Sequence, residues 1–215
     1  MLALAQNPDI QSKLREEVRT IAGEPTYDNL VDPNILPYLD AVCREAMCMF
    51  PPAPRNEKSV QEDDVIPLRQ PIRGADGSWI QSIPVKKGQV IHIPSFDVNR
   101  VFGDADTSRP TRWLVGRGDA VEAKYCTPGE HGIPPADHMC GGWSGLFTFS
   151  EGSRICVGMQ LVLFEYKAIL TTLIRSFQFH DTGVTISMRN FGLLAPHVKG
   201  REHEGLNLPV KLTLI

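Results

Sequence analysis

Apolar residues recur at Ile10, Leu14, Val18 and Ile21, the spacing that lines one face of a helix. Asn7 can cap this helix, Pro8 suits its first turn, Asp9 complements the positive end of its dipole, and Gly23 offers a stop. A second helix is predicted from Pro37 to Met49, with Leu39, Val42, Cys43, Ala46 and Met47 on one face. Pro51-Pro52 ends it, because proline has no N–H to donate and disfavours helix in the residue before it. From Val60 to Phe96 the pattern changes to short strands. Val65 to Leu68 and Val90 to Ile93 carry β-branched residues, and Asp76-Gly77 is a tight-turn signal. The segment 116–148 has no sustained period and is rich in Gly, Pro and charge, so a long loop is expected there. The strongest helix follows, with Met159, Val162, Leu163, Tyr166, Ile169, Leu170, Leu173, Ile174 and Phe177 on one broad face. Val184 to Met188 and Leu208 to Ile215 read as short closing strands. The predicted class is mostly α with small β-sheets, α+β.

Composition narrows the function. A chain of 215 residues can bury one good core, and 42% hydrophobic with 22% charged residues is ordinary for a globular protein. The net charge of -3 and the lack of a dense Lys/Arg run give no reason to expect nucleic acid as a partner. Five irregularly spaced cysteines argue against a disulfide framework and for a reducing compartment. Cys126, His131, His138 and Cys140 lack zinc-site spacing and sit in a Pro- and Gly-rich stretch, which reads as solvated loop. No apolar run of ~18 residues is present and the opening MLALAQNPD is too short for a signal peptide, so the chain as it stands reads as cytoplasmic.

The densest chemistry lies in FSEGSRICVG, Phe149 to Gly158, directly before the long helix. A cysteine at a helix N-terminus meets the positive end of the dipole, which favours thiolate over thiol. Gly152 and Gly158 let the backbone turn tightly beside Cys156. Arg154 adds a cation and Phe149 an apolar wall. Each of these residues alone has an ordinary structural reading; together they suit a cysteine that holds a metal.

This segment resembles the cysteine-ligand signature of the cytochrome P-450 family, F-x-x-G-x-R-x-C-x-G, at every defined position. The resemblance, of a fungal-like kind, runs over nearly the whole chain: REAMCMFPPAP is similar to the family's E-x-x-R helix and its prolines, PVKKGQVIHIPSFDVNR to its strand-and-turn region, and RPTRWL to its P-E-R-W segment. It implies a haem-dependent monooxygenase with haem b as cofactor and Cys156 as the axial iron ligand. It further implies Arg154 and Lys58 at the haem propionates and Phe149 under the ring. A small organic substrate would be oxidised with electrons from NADPH through a flavin-containing reductase, whose docking Arg154, Lys167 and Arg175 would assist. Full-length relatives are expected at the cytoplasmic face of the endoplasmic reticulum membrane.

The chain departs from the pattern in three places. The arginine of E-x-x-R is Cys48, Thr111 replaces a glutamate, and Ser108 stands where an aromatic is common. The family joins Glu45 to that arginine and to Arg112 in a buried network, so Cys48 removes one expected cation and lowers stability. NRVFGDADTSRP is also a few residues short, and no A-G-x-x-T-like oxygen-activating motif is present. The expectation is therefore a single partial domain over 1–215, the C-terminal, cysteine-loop half of the fold, lacking the membrane anchor and most substrate contacts; only residues after Pro54 and around Phe191 to Pro196 would approach the pocket. The alternative is a non-catalytic fragment that binds haem or is a relic.

Overall fold

The computed structural model describes residues 1–100, 106–190 and 192–215, in two compact units, Met1–Pro54 with Ser95–Ile215, and Arg55–Pro94. The shortening in NRVFGDADTSRP falls partly outside the described residues, and so does the pocket reading at Phe191.

The larger unit is built on α4, Pro37–Met49, which matches its predicted bounds. Leu39, Ala41 and Cys43 are completely buried in it, and Val42, Met47 and Cys48 nearly so. It packs on α2, Pro8–Val18, and on α7, Met159–Ser176. Leu14, Val18, Leu163, Leu170 and Ile174 supply the facing core. Apolar burial of this kind contributes roughly 1.5–3 kcal/mol per large side chain. Val162 and Ile169, predicted on the core face of α7, are exposed instead, while Lys167 and Thr171 are buried. The remaining helices are α1, Leu2–Gln6, α3, Tyr27–Val31, α5, Ser95–Val98, and α6, Asp119–Tyr125.

Four strands complete this unit as two antiparallel pairs: β5, Phe177–Asp181, with β8, Val210–Leu214, and β6, Ile186–Asn190, with β7, Leu194–Val198. Phe179, 1% exposed, faces inward from β5. The amide of Gln11 ties α2 to that strand: its Oε1 accepts from Phe179 N–H at 2.8 Å and its Nε2 donates to Phe179 O at 3.0 Å.

Two local expectations change. Asn7 does not cap α2 with its side chain; its Nδ2 donates to Ala3 O at 2.7 Å. The preceding residues are themselves helical, so the asparagine serves the unpaired carbonyls of α1 instead. The segment 116–148 contains α6 and two short 3₁₀ turns, Ala136–His138 and Trp143–Gly145. Val121 and Tyr125 point the inner side of α6 at the core.

The smaller unit has β1, Asn56–Ser59, antiparallel to β4, Val90–Ile93, and a hairpin of β2, Asp64–Arg73, with β3, Trp79–Val85. The hairpin register shifts between Pro67 and Ile72, where Pro67 and Pro71 cannot donate to the ladder. Its turn closes with Gly74 N–H on Ser78 O at 2.8 Å and Gly77 at φ +83°.

Candidate haem-thiolate loop and its supports

The loop Phe149 to Gly158 is a tight knot in front of α7. Ser150 and Gly152 both take left-handed φ, +63° and +73°, so the chain reverses twice within three residues. A 3₁₀ turn, Gly152–Arg154, follows, and Cys156 N–H then donates back to Phe149 O at 2.9 Å. Met159 N–H donates to Cys156 O at 3.2 Å, which joins the loop to the start of α7. Phe149 is buried, edge-on to Trp143 with ring centroids 5.5 Å apart. Cys156 is exposed, and so are its neighbours Ile155 and Val157 and, one turn on, Leu161. A Cβ at Gly158 would lie 4.0 Å from Cys156 Sγ, an ordinary contact distance. Arg154 is exposed, and among the described residues no carboxylate pairs with it. Lys58 lies half-buried in the smaller unit, on β1 opposite Ile91.

On α4 the carboxylate of Glu45 is buried, with its side chain 3% exposed. Arg112, 1% exposed, brings Nε to Oε2 at 3.1 Å and Nη2 to Oε1 at 3.3 Å. Trp113 Nε1 donates to Oε2 at 2.8 Å, and the Arg109 backbone N–H donates to Oε1 at 2.7 Å. Four donors thus occupy the carboxylate without any contribution from position 48. Beside the Arg112 cation, the donors are an indole N–H and a main-chain N–H. Cys48 is 2% exposed and its thiol donates to Asn99 O at 3.2 Å. An arginine at 48 would find Glu45 already taken and would overfill a packed site. Cys48→Arg is therefore expected to lower stability by about 1–3 kcal/mol in urea unfolding; a gain would show that the sequence-based deficit is real.

A second buried carboxylate, Asp40, gathers three cations: Lys167 Nζ at 2.8 Å, Arg44 Nε at 2.7 Å and Arg117 Nη1 at 3.3 Å. Burial alone would raise its pKa, but Arg44 and Lys167 together hold it below the ordinary value. Arg44 also lies over the Trp143 ring at 5.4 Å and bonds Ser144. Lys167, 6% exposed, is thus committed to Asp40, and Arg175 donates to Gly23 O at 2.6 Å and Ile21 O at 3.1 Å. Lys167 is therefore not a surface cation, whereas Arg175 is half-buried with carbonyl partners only, among the described residues. Glu17 completes the set, accepting from the Tyr38 and Leu39 amides at 2.8 and 2.7 Å and from Tyr125 Oη at 2.8 Å. It supplies from α2 the acceptors that the first turn of α4 lacks. Its pKa is raised by burial, which outweighs these three hydrogen bonds.

The sequence reading missed Asp40, Glu17 and Asn99. Their partners lie far along the chain, and a carboxylate on a helix reads locally as a solvated charge. The one available signal was position: Asp40 falls among Leu39, Ala41, Val42 and Cys43, where a solvated residue is out of place.

The family model described as cytochrome P-450 matches residues 1–201. The chain is 38% identical to cytochrome P-450 monooxygenase 91 of Postia placenta over 202 residues, 91% of this chain and 34% of that protein. It is 36% identical to cytochrome P-450 monooxygenase 128 of the same fungus, over 98% of this chain and 36% of the relative. With cytochrome P-450 monooxygenase claU of Ampulloclitocybe clavipes the identity is 33%, over 98% and 37%. The chain spans about a third of the length of these curated relatives. Among the described residues no helix is long and apolar enough to cross a membrane. By the extent of the family match and by these relatives, the chain belongs to the cytochrome P-450 family.

Proposed function

We propose that the chain is the cysteine-loop part of a haem-dependent monooxygenase, with Cys156 as the axial ligand of haem b. The observation that carries this is the presentation of Cys156: an exposed thiol, fastened through its N–H to Phe149 O, within an open apolar patch of Ile155, Val157 and Leu161. A flat apolar macrocycle with a metal centre and anionic edge groups fits that donor set. Cys156 would hold the metal through its sulfur, Ile155, Val157 and Leu161 would offer apolar surface to the ring, and Arg154 would hold a propionate in a charge-assisted pair. When bound, haem supplies the iron chemistry by which one atom of dioxygen enters an organic substrate, and a thiolate ligand favours O–O cleavage. Phe149, buried against Trp143, would lie under the ring. Lys58 is assigned to the second propionate.

The remaining assignments belong to the whole protein. They are a C-terminal placement of this chain in the fold, a small organic substrate, electrons from NADPH through a flavin-containing reductase, and the cytoplasmic face of the endoplasmic reticulum membrane. The names of the relatives support the reaction class. A second reading is a non-catalytic fragment that binds haem or is a relic.

The test is the reduced, carbon monoxide-treated spectrum of the full chain after addition of haem. A Soret band of the thiolate-ligated type is expected, and Cys156→Ala is expected to abolish it while changing stability by no more than about 0.5 kcal/mol, as for most exposed positions. Uptake of haem with the same band in Cys156→Ala would refute the ligand assignment. No uptake by the unmodified chain would favour the fragment reading.

A further inference from the structure

The position of the cysteine loop is set from α4 through two polar side chains that carry no part of the signature. Proline at 51 has no N–H, so the Met47 carbonyl loses the donor that helix geometry would bring to it four residues later. Thr148 Oγ1 fills that gap, donating to Met47 O at 2.9 Å, and Asn99 Nδ2 reaches the same carbonyl at 3.4 Å. Asn99 is completely buried and Thr148 is 7% exposed. Asn99 Nδ2 also donates to Thr148 Oγ1 at 2.8 Å, and its Oδ1 accepts from Phe147 N–H at 2.7 Å. One amide therefore binds the backbone at 147, the side chain at 148 and the end of α4. The next residue is Phe149, whose carbonyl holds Cys156 N–H. Cys48, in place of the family's arginine, donates its thiol to the backbone carbonyl of the same Asn99.

We infer that Asn99 and Thr148 are positioning residues for Cys156, a clamp that fixes the entry of the cysteine loop to the proline-terminated end of α4. The inference rests on the haem-thiolate reading for its functional meaning, though the clamp itself is a property of the chain without cofactor. Its consequence is selective. Loss of the clamp leaves α4 and α7 packed on their apolar core and frees residues 147–157.

Hydrogen exchange of the full 215-residue chain, followed by peptide, tests the clamp without haem. In Thr148→Val and in Asn99→Ala, exchange across 147–157 is expected to rise about tenfold, the factor that loss of one ordinary hydrogen bond gives, with α7 unchanged. Thr148→Ser keeps the hydroxyl and is expected to exchange like the unmodified chain. The haem-loaded variants are then reduced under carbon monoxide. Thr148→Val is expected to show at least a severalfold fall in the ratio of thiolate-type to other ferrous carbonyl signal, and Thr148→Ser none. Unchanged exchange in a folded Thr148→Val, or an unchanged ratio, overturns the inference. If Asn99→Ala unfolds globally, the Thr148 pair decides alone. Absence of the thiolate band in the unmodified chain overturns the ligand assignment instead, and the exchange arm still decides whether the clamp exists.

Discussion

Glu45→Gln is expected to destabilise the chain by about 3–5 kcal/mol, a large part of the roughly 5–15 kcal/mol that holds a typical domain together. The substitution preserves shape, so the loss reports charge and acceptor capacity rather than a cavity. Arg112, 1% exposed, would lose the carboxylate charge that its Nε and Nη2 contact, and the amide nitrogen would face the N–H groups of Trp113 or Arg112. Desolvation dominates that outcome: a buried pair adds little net stability, but half of one costs several kcal/mol. The measurement is urea unfolding of the full chain. Glu45→Gln combined with Arg112→Met removes both charges and is expected to recover part of the loss, a coupling that a double-mutant cycle isolates. A cost below about 1 kcal/mol for Glu45→Gln would mean that water or a displaced loop relieves the arginine.

The helical frame was legible because its signals are local. Pro37 at the start, Pro51-Pro52 at the end and a continuous apolar face predict α4 at its observed bounds, 37–49. The long helix was foreseen to within a residue, Gly158 to Phe177 against Met159–Ser176. The cysteine loop was read for another reason, its match to a family signature, of which Gly152 at φ +73° meets a backbone constraint. What escaped was polar and non-local. The donors that hold Glu45 beside Arg112 are a tryptophan 68 positions from it and a main-chain N–H 64 from it, and neither leaves a pattern along the chain. The helix of the loop region, α6, was hidden because its seven residues are flanked by glycine and proline, so no period could build up. Asn7 shows the converse, a correct local signal whose side chain is taken by the neighbouring helix. Lys167 was misplaced for the same reason as Asp40: each reads as surface until the other is brought to 2.8 Å.

That pair gives the second large effect. Asp40→Asn removes the common partner of Lys167, Arg44 and Arg117, and the most buried of the three, Lys167, is left charged in the core; a loss of about 3–5 kcal/mol at neutral pH is expected. The pH dependence fixes the cause. Asp40 titrates below its unfolded value in the folded chain, because Arg44 and Lys167 overcome the cost of burying it. A carboxyl held down in this way stabilises the fold above its unfolded pKa, and the contribution is lost as pH falls through the lower, folded pKa. The window therefore lies below the ordinary aspartate value of 3.8. Glu17 has the opposite sign: burial raises its pKa, so its contribution is present below 4.5 and fades as pH rises through the folded value. The two windows fall on opposite sides of pH 4, which lets one titration separate them. Urea midpoints measured at pH 7, 5, 4 and 3 should drop steeply for the unmodified chain between the last two. For Asp40→Asn that final drop should be shallower, with the profile above pH 4 parallel to the unmodified chain. An equally steep fall in the variant would assign acid unfolding to other carboxylates and leave Asp40 a structural anchor with no part in it.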